Sequence, residues 1–281
     1  MPVYNTKSQY LREAIDSILN QTFSDFEFII INDGSTDPTV ETTITSYIDP
    51  RIKYFKQKNI GLIGTLNRGL DLAKGEFIAR MDSDDISLPT RFAEQLDFFE
   101  KNPDISILGT WFEVFQGTED VCKHSTKVGL WELSIDNQLG HPTVMWRCAD
   151  LEKYGLRYDP DYKAAEDYEF WSRAVRYVKI ANLDKILLKY RKHNECVSEV
   201  MLELQKKNTE RVRQTLLDFI TPDSIQQKKI KKMQKMCQRI WLGVPLLKLK
   251  RENIYLFEII PLVKMKKSKW WLFGIIPVLR K

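Results

Sequence analysis

Cysteine is scarce and scattered. The four in 281 residues, Cys122, Cys148, Cys196 and Cys237, form no CxxC pair. That spacing argues against a zinc site and a disulfide framework, and it fits a reducing compartment. No apolar run reaches the ~18–20 residues a membrane-spanning helix needs, and no basic-then-apolar leader follows Met1. Both absences point to a cytoplasmic protein. The chain also lacks a GxGxxG after a strand and a GxxxxGK[ST] loop, so dinucleotide-cofactor and P-loop binding are unsupported. Histidine is limited to three, in no defensible Ser-His-Asp order, which disfavours nucleophilic hydrolysis.

What is present is enough apolar and aromatic residue, 43% and 11%, for a packed core. Charge is divided unevenly. Residues 226–281 hold 15 Lys and Arg against 2 Asp and Glu, and the rest of the chain is net acidic although the total is +5. An acidic body with a basic tail suggests two tasks, the tail facing something anionic.

Apolar spacing predicts helices over 8–21, 61–75 and 89–102, with strands "FEFIIIND" (26–33), "RIKYFKQ" (51–57), "EFIARM" (76–81) and "ISILGTWFEVF" (105–115) between them. Residues 39–46 are a weaker helix candidate. This alternation predicts an α/β fold with a mostly parallel, doubly wound sheet. Ligands in such folds bind beyond the carboxyl ends of the strands. "INDGS" and "MDSDD" are both strand ends of that kind, so the two acidic turns should share one sheet edge. Further on, "GHPTVMWR" (140–147) is strand-like, "AAEDYEFWSRAVRY" (164–177) helical, "ILLKYRKHNECVS" (186–198) a strand running into a loop, and 201–219 a charged amphipathic helix.

The acidic turn invites a cation. Asp82, Asp84 and Asp85 follow an apolar strand, and carboxylates at i and i+2 can converge on Mg²⁺ or Mn²⁺, which relieves their repulsion. The competing account is a solvated turn in which Asp85 or Ser87 caps the helix after Pro89. Asp33 could accept a hydrogen bond from a base or ribose, or close an Asx turn with Gly34 at positive φ. Glu166 and Asp167 open an aromatic-rich helix. Either could be a general base, or both could simply favour the helix dipole. His141 and His193, taken alone, are more often structural than liganding.

Taken in order, "MPVYN", "FIIINDGSTD", "NIGLIGTLNRGLDLAKGEFIARMDSDDISLPTRF", "GHPTVMWR", "AEDYEFWSRA" and "YRKHNECVS" resemble the inverting glycosyltransferases of family two, which have the GT-A fold. The resemblance covers residues 1 to about 198 and implies a domain over 1–200. It implies a nucleotide-sugar donor, usually UDP-linked, held by Pro2, Val3, Tyr4, Asn5, Asp33, Gly61, Asp82 and Ser83. It places Mn²⁺ or Mg²⁺ on Asp84 and His193, makes Asp167 the catalytic base, and puts His141, Glu166 and Trp171 on the acceptor side. Acceptor choice is expected to depend on residues 116–165, including His141, Trp146 and Tyr162. There is one departure. The family carries a full apolar strand ahead of "PVYN", where only Met1 stands here, so the start of this sequence is expected to lie inside a longer gene product, or another segment to occupy the central slot.

The region 201–281 is expected to be a helical, basic extension. Its end repeats "LGVPLLKLK", "EIIPLVKMK" and "GIIPVLRK", with prolines 16 residues apart at 245, 261 and 277. Short apolar runs with Trp241, Trp270, Trp271 and clustered lysines suit the interface of an anionic bilayer, at the inner face of the cytoplasmic membrane. The other account is a subdomain packed on the body. No nucleic-acid-binding module is recognisable, so a nucleic-acid partner is not expected. Three function classes follow. The first is an enzyme adding sugar to a surface polysaccharide or lipid-linked glycan. The second, a sugar nucleotidyltransferase, lacks the Gly-rich loop such enzymes carry near their start. The third, a non-catalytic glycan- or membrane-binding remnant, would have no need for both Asp84 and Asp167.

Overall fold

The computed structural model describes residues 1–116, 120–193, 200–221, 227–228 and 230–232, together with the backbone at 271–272 and 276–277. Two compact units divide the chain, Met1–Leu216 and Leu217–Lys281.

The first unit opens with β1 (Pro2–Val3), α1 (Ser8–Leu19), β2 (Phe28–Asn32), α2 (Pro38–Thr45), β3 (Ile52–Lys56) and α3 (Gly61–Leu72). Leu11, Ala14, Ile15 and Ile18 recur at helical spacing and are the buried stripe of α1. β2 is the continuous β-branched run FIIIN, buried on both faces as central parallel strands are. Asp37 starts α2 by accepting the Thr39 N–H at 2.8 Å, ahead of Pro38 at the first turn. β1, β2 and β3 form a parallel sheet with Val3 opposite Asn32.

A second sheet is mixed. β4 (Phe77–Ala79), β5 (Ile86–Ser87), α4 (Arg91–Lys101), β6 (Ile105–Phe115), β7 (Val121–Cys122), β8 (Lys127–Val128), α5 (Leu130–Ile135), β9 (Met145–Arg147), α6 (Cys148–Lys153), α7 (Glu166–Ala174) and β10 (Lys179–Arg191) follow in order. Its main path is β4-β9-β6-β10-β5. The long β6–β10 pair is parallel, and the short strands join antiparallel. "GHPTVMWR" is therefore only partly strand: His141–Thr143 is a 3-10 turn, because Pro142 has no N–H to give a ladder, and β9 begins at Met145.

Alternate residues of the strands face opposite layers. Ile107 and Trp146 belong to one core with Phe170, Trp171 and Ile180, while Leu108 and Met145 belong to the other with Ile15, Ile30 and Phe92. β1 has two residues, with the Met1 ammonium donating to the Ile29 carbonyl at 2.8 Å. An apolar cavity of about 690 Å³, bordered by Met1, Ile29, Ile31, Leu66, Phe77 and Ala79, lies beside it. Among the described residues of the first unit, the strands thus form a parallel three-stranded sheet and a mixed one.

Helix α8 (Leu202–Ile220) ends the first unit and begins the second. Where the second unit is described further, Trp271–Leu272 and Ile276–Pro277 pair antiparallel, so a wholly helical extension is corrected there. The rest of the repeated tail lies outside the described residues. Among the described residues no helix is long and apolar enough to cross a membrane.

Candidate active site

The carboxyl ends of β1, β2 and β4 are tied together by side chains. Asn5, at φ 50°, accepts from the Thr36 N–H at 2.8 Å and the Asp37 N–H at 3.2 Å, which joins the loop after β1 to the loop after β2. Thr6 Oγ1 and Ser83 Oγ lie 2.6 Å apart, joining the first loop to the acidic turn. Val3 is buried beneath and Tyr4 stands exposed above; Pro2 is half-buried. Asp33 is 3% exposed and caps α3: it accepts the N–H groups of Ile60 and Gly61, both at 2.9 Å, and the Gln57 amide at 2.7 Å. Gly34 has φ +70°, and a Cβ there would meet the Asn59 nitrogen at 2.6 Å, so only glycine fits this turn.

The acidic turn is held on two sides. Asp82 is ion-paired with Arg80, itself almost wholly buried. Asp84 Oδ2 lies 2.9 Å from His193 Nε2, across 109 residues of sequence. Asp85 is fully buried, with Oδ1 accepting the Arg191 N–H at 2.8 Å and Oδ2 unpartnered. One ligand atom from each of Asp82, Asp84 and Asp85 can lie within 4.8 Å of the others. Burial and the neighbouring charges of Asp82 and Asp84 push the Asp85 carboxyl well above its ordinary value, and burial raises Asp82 against the pull of Arg80. Neither Asp85 nor Ser87 caps the next helix: Thr90 occupies that position, and Ser87 Oγ accepts from Gln21 at 3.2 Å. Three hard oxygen ligands in mutual repulsion, one with an orphaned buried atom, beside an imidazole fit a divalent cation.

Glu166 and Asp167 begin α7. Asp167 accepts the Tyr168 N–H at 2.7 Å and the Asn137 amide at 2.8 Å. Burial raises Asp167, offset by those bonds and by Arg80. Burial, then the Asp167 charge, push Glu166 up to about 7. Arg80 acts electrostatically on Asp82, Glu166 and Asp167 together, which makes its guanidinium the link between the two acidic groups.

His141 is 9% exposed, shares a 2.8 Å hydrogen bond with Tyr158 Oη, and is held neutral by burial and by Arg80. Trp171 and Trp146 pack in the core at 0% and 1% exposure, so neither reaches solvent; Tyr162 lies under Arg211. Arg80, Arg191 and Asn137 are site residues the sequence did not single out. The only signal was an arginine inside each strand-end motif, and Asn137 gave none.

Residues 1–151 match the family model described as Glycosyl transferase family 2. An uncharacterized glycosyltransferase of Haemophilus influenzae is 34% identical over 231 residues, spanning 77% of this chain and 71% of its own. The O-antigen biosynthesis glycosyltransferase WbnJ of Escherichia coli is 32% identical over 222 residues, 72% of this chain and 86% of its own. In fold, S. aureus TarS 1-349 in complex with UDP-GlcNAc matches with TM-score 0.65 at 20% identity, over 92% of this chain and 75% of that one. The chain therefore belongs to glycosyltransferase family 2, with a GT-A-like α/β fold.

Proposed function

We propose that the protein moves a sugar from a UDP-sugar to a hydroxyl of a surface polysaccharide or lipid-linked glycan, by a single inverting displacement assisted by Mn²⁺ or Mg²⁺. The observation that carries this reading is the approach of His193 to Asp84 beside Asp82 and Asp85. The UDP-GlcNAc complex of TarS and the O-antigen biosynthesis named for WbnJ support the donor and the acceptor class.

Asp84 and His193 would hold the cation, with Asp82 and Asp85 shaping its oxygen-rich surroundings. When bound, the cation neutralises the diphosphate leaving group. Asn5, Asp33, Gly61 and Ser83 shape the nucleoside side, with Pro2, Val3 and Tyr4 beneath and above. Asp167, aimed by Asn137 and the Tyr168 N–H, takes the proton from the attacking hydroxyl. Attack from the face opposite the diphosphate turns an α-linked donor into a β-linked product. His141 and Trp171 shape the acceptor side from beneath, while the basic tail faces an anionic bilayer at the cytoplasmic side, on the strength of its composition alone.

Calorimetric titration of UDP with and without Mn²⁺ tests the donor site. Mn²⁺-dependent binding is expected in the wild type, weakened at least about tenfold (~1.4 kcal/mol) in Asp84→Asn. Unchanged affinity in that variant would remove the acidic turn from the donor site.

A further inference from the structure

A second concavity, of about 540 Å³, opens between the residues after α5, the start of α7, and α8. That volume is in the range of small-molecule sites, about 300–1,000 Å³. Helical spacing explains its wall. Asn208, Val212 and Leu216 are the buried stripe that fixes α8 on the body. Gln205, Thr209 and Arg213, again four apart, form the next stripe and line the opening. Asn137 and Asp167 face them, so the groove ends at the carboxylate that Asn137 orients.

Its chemistry is that of a hydroxyl-binding surface. Among the described residues, the Gln205 and Thr209 side chains make no hydrogen bond, leaving a carboxamide and a hydroxyl that can each donate and accept. Its two cations each have a carboxylate beside them: Arg213 pairs with Asp136 at 2.8 Å, and Lys206, on an exposed pair, with Glu203 at 2.8 Å. Asp167 and Glu210 add negative charge. The lining sets three carboxylates, Asp136, Asp167 and Glu210, against two cations, so a phosphate or carboxylate would meet net negative charge, whereas each hydroxyl of a neutral sugar can both donate and accept.

We propose that this groove is the acceptor subsite and takes an uncharged sugar ring, with the attacking hydroxyl at Asp167. The assignment rests on the transferase reading above. Gln205 and Thr209 are then specificity-determining residues of the acceptor, remote from the acidic turn that holds the donor.

The test uses the full chain with Mn²⁺, the UDP-linked forms of glucose, galactose, N-acetylglucosamine and N-acetylgalactosamine, and p-nitrophenyl glycosides of the first three sugars with their 6-phosphates. Transfer to neutral glycosides is expected. Thr209→Trp should raise the acceptor KM at least tenfold, and Gln205→Ala threefold or more, with UDP affinity by calorimetry and the donor KM unmoved. The smaller Gln205→Ala change keeps the test sound should the tryptophan disturb α8. Wild-type acceptor KM in both variants overturns the proposal. So does a preference for the phosphorylated glycosides, or hydrolysis of a UDP-sugar without transfer to any neutral glycoside. Failure of the wild type to bind UDP defeats the donor reading instead, and the groove's role falls with it.

Discussion

Asp167→Asn is expected to reduce sugar transfer by about 10²–10⁴-fold, the usual worth of a positioned general base, while Mn²⁺-dependent UDP affinity stays within about twofold. The substitution preserves shape and the acceptance of the Tyr168 N–H; it removes the capacity to take a proton and turns the oxygen that accepts the Asn137 amide at 2.8 Å into a donor. Initial rates beside calorimetry separate the outcomes: equal losses of rate and of UDP affinity would mean that the residue builds the fold of the site rather than serving the chemistry.

The pH profile should carry the same assignment. Burial raises Asp167 above its ordinary value, and burial, then the Asp167 charge, raise Glu166 to about 7. Rate should appear as pH rises past an elevated Asp167 value, and Glu166→Gln should leave that acid limb in place. The linked effect on stability has the opposite direction. Glu166 binds its proton more tightly folded (about 7) than at its ordinary 4.5, so its stabilising contribution is complete below 4.5 and is lost as pH rises through 7. The loss is up to about 3 kcal/mol, at 1.36 kcal/mol per pKa unit. Thermal midpoints of wild type and Glu166→Gln between pH 4.5 and 8 measure it; parallel curves would show Glu166 to be solvated.

These groups were legible in the sequence to different degrees, for a physical reason. The stripe of α1, the run of β2 and the acidic turn after β4 are local patterns, and each forms as its spacing predicts. The partners that give them function are distant: His193 is 109 residues from Asp84, and Asn137 is 30 from Asp167. Nothing within a helical turn or a strand marks such pairs. The same limit explains the histidine at 141. Its place before Pro142 gives no hint that it bonds Tyr158 and packs against Trp171. Sheet direction was also hidden, since β9 has three residues and its pairing is set by Ile107 and Leu108 of β6.

Arg191 is the clearest of the residues that only the fold could show, and Arg191→Met is expected to be the most damaging change outside the reacting groups. Its side chain is 0% exposed and sits at the last position of β10, two residues before His193. Nε donates to the Asp84 carbonyl at 2.6 Å, one guanidinium nitrogen pairs with Glu13, and the plane stacks between Tyr10 at 4.1 Å and Phe115 at 4.5 Å. Methionine can fill much of the volume but can make none of the polar bonds. Breaking one side of a buried pair costs about 3–5 kcal/mol. Glu13 is 35% exposed and water will recover part of that, so a loss of about 2–4 kcal/mol is expected, a fall of roughly 5–10 °C in thermal midpoint. Lysine should not rescue, because a single ammonium cannot bridge Asp84 and Glu13 and stack between two rings. The functional effect should exceed what stability alone implies. Arg191 holds the main chain of Asp84 where its carboxylate meets His193, so at 15 °C, with the variant folded, Mn²⁺-dependent UDP binding should still fall at least about tenfold (~1.4 kcal/mol). A folded Arg191→Met protein with wild-type UDP affinity would show that Asp84 finds its place without the arginine, leaving its ionic contact with Glu13 as a purely structural tie between α1 and β10.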